Sequence, residues 1–225
     1  MLQAACSLPL IAMPSASTLY SDIGFLLLGE ALTRLVGCEF SAFCKTELFQ
    51  PLGMAGARFG PASELHHLIP PTEESAEGGM IQGEVQDENA RAFGAITAAQ
   101  RAPADAGHAG LFAPAADVAR FAECMLRGGS PILRPETVER FTRREPSSPG
   151  SYALGWDTPS TPSQSGRYFS PHSFGHLGYA GTSLWIDPVR RLSVTLLTNR
   201  TWPDRGSQLI KQIRPQFHDA IGEAV

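Results

Sequence analysis

From Phe174 to Arg200 the sequence reads FGHLGYAGTSLWIDPVRRLSVTLLTNR. Two runs rich in apolar, β-branched and aromatic residues, 182–187 and 192–198, flank Pro188-Val189-Arg190-Arg191, the pattern of two strands joined by a turn. A third strand is expected over 174–178 and another upstream over 152–156. Beyond the strands, Leu209, Ile210, Ile213, Phe217 and Ile221 recur at helical spacing over about 204–221. Pro215 has no N–H to donate and is expected to bend or interrupt that helix. This third of the chain reads as an antiparallel sheet closed by a helix.

Toward the N-terminus the pattern turns helical. Helices are expected over 135–141, with Pro135 at its favoured first position, and over 115–127. Between 60 and 110 the chain is poorly periodic and reads as a long loop, a feature that tends to be functional. Another helix, about 41–49, is stopped by Pro51-Leu52-Gly53-Met54. A strong helix opens at Tyr20-Ser21-Asp22, where Ser21 or Asp22 can cap the first turn, and closes at Gly37. Its apolar residues include Phe25 and Leu28 as well as a stripe from Ile23 to Leu35, so it is expected to be buried nearly all round. The start of the chain reads as loop. The fold class is α+β, with a helical, loop-rich part over 1–150 and the sheet with its closing helix over 151–225.

Composition narrows the function classes. The 225 residues are 43% hydrophobic, enough for a core, and the 22 glycines and 18 prolines favour turns over a plain helical bundle. A net charge of −4 without a Lys/Arg run excludes a nucleic-acid footprint. The longest apolar stretch, around 23–28, is far too short for a membrane span. Residues 1–17 are apolar and end in small residues, but they lack a basic start and are broken by Pro9 and Pro14, so they do not read as a signal peptide and localisation stays open. Cys6, Cys38, Cys44 and Cys124 form no CxxC pair and read as buried free thiols. His172 and His176 have ligand-like spacing, but Pro171, Gly175, Gly178 and Gly181 forbid a regular helix there, so no metal site is expected. His66-His67 reads as a solvated pair, and Trp156, Trp185 and Trp202 as packing residues. No cofactor is implied.

Several segments, in order, resemble the serine β-lactamase and penicillin-binding-protein superfamily, nearest its class C-like esterase and peptidase branch. They are Tyr20-Ser21-Asp22 with Ile23-Gly24-Phe25-Leu26-Leu27-Leu28-Gly29-Glu30, Pro51-Leu52-Gly53-Met54, and Gly83-Glu84-Val85-Gln86-Asp87-Glu88-Asn89-Ala90. Gly107-His108-Ala109-Gly110-Leu111-Phe112 follows, and Gly175-His176-Leu177-Gly178-Tyr179-Ala180-Gly181-Thr182 through Trp185-Ile186-Asp187-Pro188 to Leu197-Thr198-Asn199-Arg200 closes the set. The resemblance implies three motifs meeting at a site: a Ser-x-x-Lys, a Tyr-x-Asn, and a Lys- or His-x-Gly strand edge. Tyr20 and Asp22 match the second, with Asp for Asn. His176 and Gly178 match the third, and the backbone N–H of Tyr179 would be an oxyanion donor. His108 and Asp87 are expected to tie down the loop rather than to catalyse. Gln86 stands where the family pattern has His, and 98–106 looks like an insertion.

The first motif is absent from these residues. The chain has two lysines, Lys45 and Lys211, and the positions three before them are Ala42 and Gln208. The segment with the nucleophile, its helix and the first two sheet strands is therefore expected to lie outside this sequence. A serine needs a neighbouring base to attack. Tyr20, without its lysines, is expected to be an ordinary phenol, about 0.1% ionised at pH 7. Ser21 reads as a cap, and Ser183 as a strand residue without an obvious base. The chain by itself is expected to be inactive toward a small-molecule acyl substrate. Two alternatives stand beside this: a non-catalytic ligand-binding protein of the same fold, and a truncated product without function. A missing strand would leave the edge of 192–198 open, so pairing with an N-terminal complementing fragment, or self-association through that edge, is expected.

Overall fold

Ser21, in extended conformation, accepts a hydrogen bond from Gly24 N–H (3.1 Å) and starts helix α2 (Asp22–Val36), which ends on Gly37 as a left-handed C-cap. This and the following elements come from a computed structural model that describes residues 2–13, 16, 18–74, 78–97, 105–144, 150–203 and 205–225. The side chains of 93–97 are outside that description. Pro14 and most of the insertion expected over 98–106 also lie outside it. The chain divides into two compact units, one of residues 1–51 and 55–114, the other of 52–54 and 115–225. The helices after residue 115 pack on the sheet.

In the first unit, α1 (Leu2–Ser7) replaces the expected loop at the start, and Leu2 packs against a small core of Leu26, Val85, Ala90 and Ala106. Helix α2 approaches the 105–109 turn so closely that a Cβ on Gly107 would strike the Phe25 carbonyl. It is not buried all round. Only Leu26 and Gly29 are buried, while Ile23 and Leu28 are exposed and Leu35 is 82% exposed. Helix α3 (Phe40–Cys44) runs on as a π-helical turn, Lys45–Phe49. The buried carboxylate of Asp105 accepts from Ser41 N–H (2.9 Å), satisfying an orphan donor of its first turn. Burial, and then the Asp105 charge, push the Cys44 thiol up to about 11.

The expected long loop holds short elements: β1 (Arg58–Phe59) pairs antiparallel with β4 (Leu111–Phe112), β2 (Glu73–Glu74) pairs with β3 (Met80–Ile81), and α4 spans Glu88–Thr97. Helix α4 was hidden by weak periodicity; Asp87 starts it by accepting from Ala90 N–H (2.7 Å). His66 is half-buried, with its Nε2 3.0 Å from the Pro61 carbonyl, whereas His67 is exposed. Cys44 and Cys124 are buried thiols, but Cys6 and Cys38 are exposed.

The second unit contains α5 (Ala115–Leu126), α6 (Pro135–Thr142), β5 (Phe174–Leu177), β6 (Ser183–Asp187), β7 (Leu192–Leu196) and α7 (Ile210–Ala224). The sheet order is β5-β6-β7, antiparallel, with His176 opposite Leu184 and Trp185 opposite Val194. Ile186 and Leu184 pack with Phe174 against Ala122, Met125 and Val138 of α5 and α6. Trp185 and Val194 pack with Phe169, and Phe217 and Ile221 of α7 cover that face. Both faces of the strands are covered, so these strands are apolar without strict alternation. The strand expected over 152–156 is not formed; isolated bridges join Tyr152 to Asp157 and Asp157 to Gly175, and Pro159 and Pro162 soon follow.

At the β6–β7 turn the Asp187 carboxylate accepts from Val189 and Arg190 N–H and from the Ser170 N–H and hydroxyl. Burial would raise its pKa, but those donors outweigh burial and hold it below the usual carboxylate range. Helix α7 begins later than expected and runs through Pro215 without interruption. The carbonyl that the proline cannot reach, Lys211 O, accepts instead from the Gln164 side-chain amide (3.0 Å). Its buried positions are Ile210, Arg214, His218 and Gly222, whereas Leu209 and Ile213 are exposed.

Candidate active site

Tyr20 and Asp22 flank the cap residue Ser21 in the first unit. Ser21 is engaged with Gly24 N–H, which accounts for its hydroxyl as a helix cap. The Tyr20 ring leans on Phe25, with centroids 5.8 Å apart, and the residue is 48% exposed. Asp22 is exposed at the first position of α2, where its charge suits the helix N-terminus.

His108 and Asp87 come together in the same unit: His108 Nε2–H donates to Asp87 Oδ1 over 2.9 Å, and the imidazole is almost wholly buried. A carboxylate can only accept, which sets the ring's tautomer. The other nitrogen, Nδ1, is buried with no hydrogen-bond partner among the described residues. Because Asp87 also caps α4, one carboxylate links the helix start to the 105–109 turn.

His176, Gly178 and Tyr179 lie in the second unit, at and just beyond the end of β5. His176 is paired within the sheet, and its Nδ1 lies 3.0 Å from the Leu177 carbonyl. Gly178 N–H continues the pairing by donating to Thr182 O (2.8 Å). A Cβ at Gly178 would run into Thr182 Oγ1, so any other residue there requires the Thr182 side chain to move. Tyr179 is 54% exposed, and its backbone N–H meets no acceptor among the described residues.

The sequence reading missed several residues here. Arg200 stacks over the Tyr179 ring at 4.4 Å and donates from Nε to the Tyr179 carbonyl (2.7 Å). Arg214 donates to the carbonyls of Gly178, Gly181 and Thr182. Ser183 does have a histidine partner: its Oγ lies 3.1 Å from His218 Nε2. With Ser183 4% and His218 1% exposed, no substrate reaches the pair, and it serves to join β6 to α7. Burial, then the Arg214 charge, press His218 down to about 4, so the ring is neutral near pH 7. One signal was available in the sequence: Arg214 and His218 sit in phase with Ile210, four apart, on the stripe that faces inward. No group of three or more potential metal ligands is gathered among the described residues, and no helix there is long and apolar enough to cross a membrane.

Helices flanking small antiparallel sheets, with a glycine-closed strand end, define an α+β protein of beta-lactamase-like architecture. The chain belongs to the beta-lactamase family, whose profile matches residues 1–214. Among curated relatives, a Salmonella agona protein described as "Putative D-alanyl-D-alanine carboxypeptidase" is 29% identical over 216 residues, covering 85% of this chain and 47% of that one. The chain thus spans about half the length of the curated relatives it matches. Among solved structures, a Mycobacterium bovis beta-lactamase superposes with a TM-score of 0.68 at 23% identity, over 95% of this chain and 66% of that one. A variant of the Aspergillus terreus simvastatin synthase gives 0.69 at 17% identity, over 97% and 59%.

Proposed function

We propose that the chain supplies the Tyr-Asp and His-Gly motifs of a serine hydrolase acting on an ester, amide or β-lactam carbonyl. A serine hydroxyl, provided with its lysine by a segment outside these 225 residues, attacks the carbonyl carbon, and Tyr20 takes up the serine proton. Asp22 stands at the helix start beside that tyrosine. His176 and Gly178 line the carbonyl side of the substrate, and Tyr179 N–H donates to the oxygen as it becomes negative. Expulsion of the alcohol or amine leaves an acyl-serine, which water then cleaves. His108 and Asp87 hold the loop that follows α4 and take no part in proton transfer.

The observation that carries this reading is the Tyr179 N–H, without an acceptor among the described residues, immediately after His176-Leu177-Gly178. The relatives support it: one is described as a carboxypeptidase, one as a beta-lactamase and one as a synthase. Their greater length agrees with a nucleophile carried elsewhere. Strand β7 ends the sheet order, so its outer edge is the proposed docking place for a complementing strand or a second copy.

Labelling with a fluorescent penicillin or a fluorophosphonate tests the assignment. The 225-residue chain alone is expected to take no covalent label, and to take it once a segment with Ser-x-x-Lys is joined to it. Turnover of an activated ester by the chain alone, abolished by Tyr20→Phe, would overturn the proposal.

A further inference from the structure

Five consecutive carbonyls, from Gly178 to Thr182, are all engaged. Arg214 Nη2 donates to Gly178 O (2.5 Å) and Thr182 O (3.0 Å), and its Nε donates to Gly181 O (3.1 Å). Arg200 takes the other two, its Nε on Tyr179 O (2.7 Å) and its backbone N–H on Ala180 O (2.9 Å). Arg214 is 6% exposed and lies on α7, far along the chain from the turn it grips. Among the described residues no carboxylate lies within ion-pair distance of it. A buried cation held only by carbonyls is expensive to keep unless those contacts matter.

We propose that Arg214 is the positioning residue that aims the Tyr179 N–H, an inference that rests on the oxyanion-donor role read above. The physical link is the peptide between Gly178 and Tyr179. It is planar and trans, so its N–H points opposite to its C=O. The Gly178 oxygen also accepts from Gly181 N–H (3.1 Å), so the buried guanidinium completes the hold on it and thereby fixes the Tyr179 N–H in the reverse direction, away from α7. A cation on the carbonyl oxygen also polarises the amide and makes its N–H a stronger donor. The guanidinium spreads these contacts over Nε and Nη2 in one rigid plane, a fixed geometry that a lysine's single rotating ammonium does not provide. Burial and then the nearby Arg200 charge lower the pKa of Arg214.

Residual dipolar couplings on the ¹⁵N-labelled 225-residue chain read the N–H direction itself. In Arg214→Met the Tyr179 coupling is expected to lose about half or more of its magnitude through averaging, while couplings in β6 stay at their wild-type values. Arg214→Lys keeps the charge but has a point donor, and should restore the Tyr179 coupling only in part. Should Arg214→Met not fold, the lysine variant still decides, because a partial loss confined to Tyr179 and its neighbours is expected there. A Tyr179 coupling unchanged in every folded variant overturns the role. So does a loss spread equally over β6, which would mark a merely structural residue. The measurement needs no turnover: a chain that takes no covalent label even when joined to a Ser-x-x-Lys segment refutes the hydrolase reading alone, and a Tyr179 vector unchanged in the Arg214 variants refutes the role of Arg214 alone.

Discussion

The two motif-bearing units are built with different rigor. In the second, the strand behind His176 packs against β6, whose Trp185 and Ile186 are fully buried, and Asp187, Thr201 and His218 are sealed with them. The Gly178–Thr182 turn has every carbonyl bonded. In the first, Tyr20 and Asp22 sit at the exposed start of a helix that buries Leu26 and Gly29 and leaves Ile23, Leu28 and Leu35 in the open. The His-x-Gly stretch is thus held within a densely buried unit, whereas Tyr20 and Asp22 stand at an exposed helix start. Stability within a molecule is rarely uniform, and elements with few buried apolar contacts open first.

The sharpest way to break this contrast is to empty each core in turn. Trp185→Ala should cost about 3–5 kcal/mol and melt the sheet, whereas Leu26→Ala should fall at the low end of the roughly 2–5 kcal/mol seen for leucine truncation. Denaturant unfolding followed by hydrogen exchange in both units measures the pair; equal costs would erase the distinction. Next in size is acid sensitivity. His218 titrates near 4 when folded against 6.5 ordinarily, so the unfolded chain binds that proton first as pH falls. The contribution is complete above about 6.5 and declines until about pH 4, by roughly 3 kcal/mol. His218→Asn should flatten that part of the stability–pH curve, and a curve of unchanged slope would contradict the assignment.

Smaller effects are expected from the first unit. Asp87→Ala removes both the α4 cap and the partner of His108 and should cost about 1–2 kcal/mol, with increased exchange in the 105–109 turn. Ser21→Ala removes the single side-chain cap of α2 and should cost about 1 kcal/mol, read as a lower melting temperature with fraying at the α2 start. A Ser21→Ala loss matching that of Trp185→Ala would show the first unit to be as tightly built as the second.

Much of this was legible before any coordinates. Ser21, Gly37 and the apolar spacing between them marked α2, and the strand pair on either side of Pro188-Val189-Arg190-Arg191 was plain, because caps, turns and periodicity are local signals. Helix α4 escaped because its start depends on Asp87, a single capping residue in a polar run. The inward phase of α7 was misjudged for another reason: apolar Leu209 and Ile213 face solvent, while Arg214 and His218 face the sheet. Hydrophobicity alone assigns such residues to the wrong side, since a buried cation or imidazole is tolerated only when distant partners satisfy it.

By itself the sequence determined the family, the chain positions of the Tyr-x-Asp and His-x-Gly motifs, and the lack of Ser-x-x-Lys in these residues, because each is a matter of residue order. Only the tertiary structure decided which face of each helix is buried, that Ser183 is sealed against His218, and that Arg214 grips the turn carrying Tyr179. Those outcomes depend on contacts between residues tens of positions apart, where hydrogen bonding and burial, not local spacing, set the arrangement.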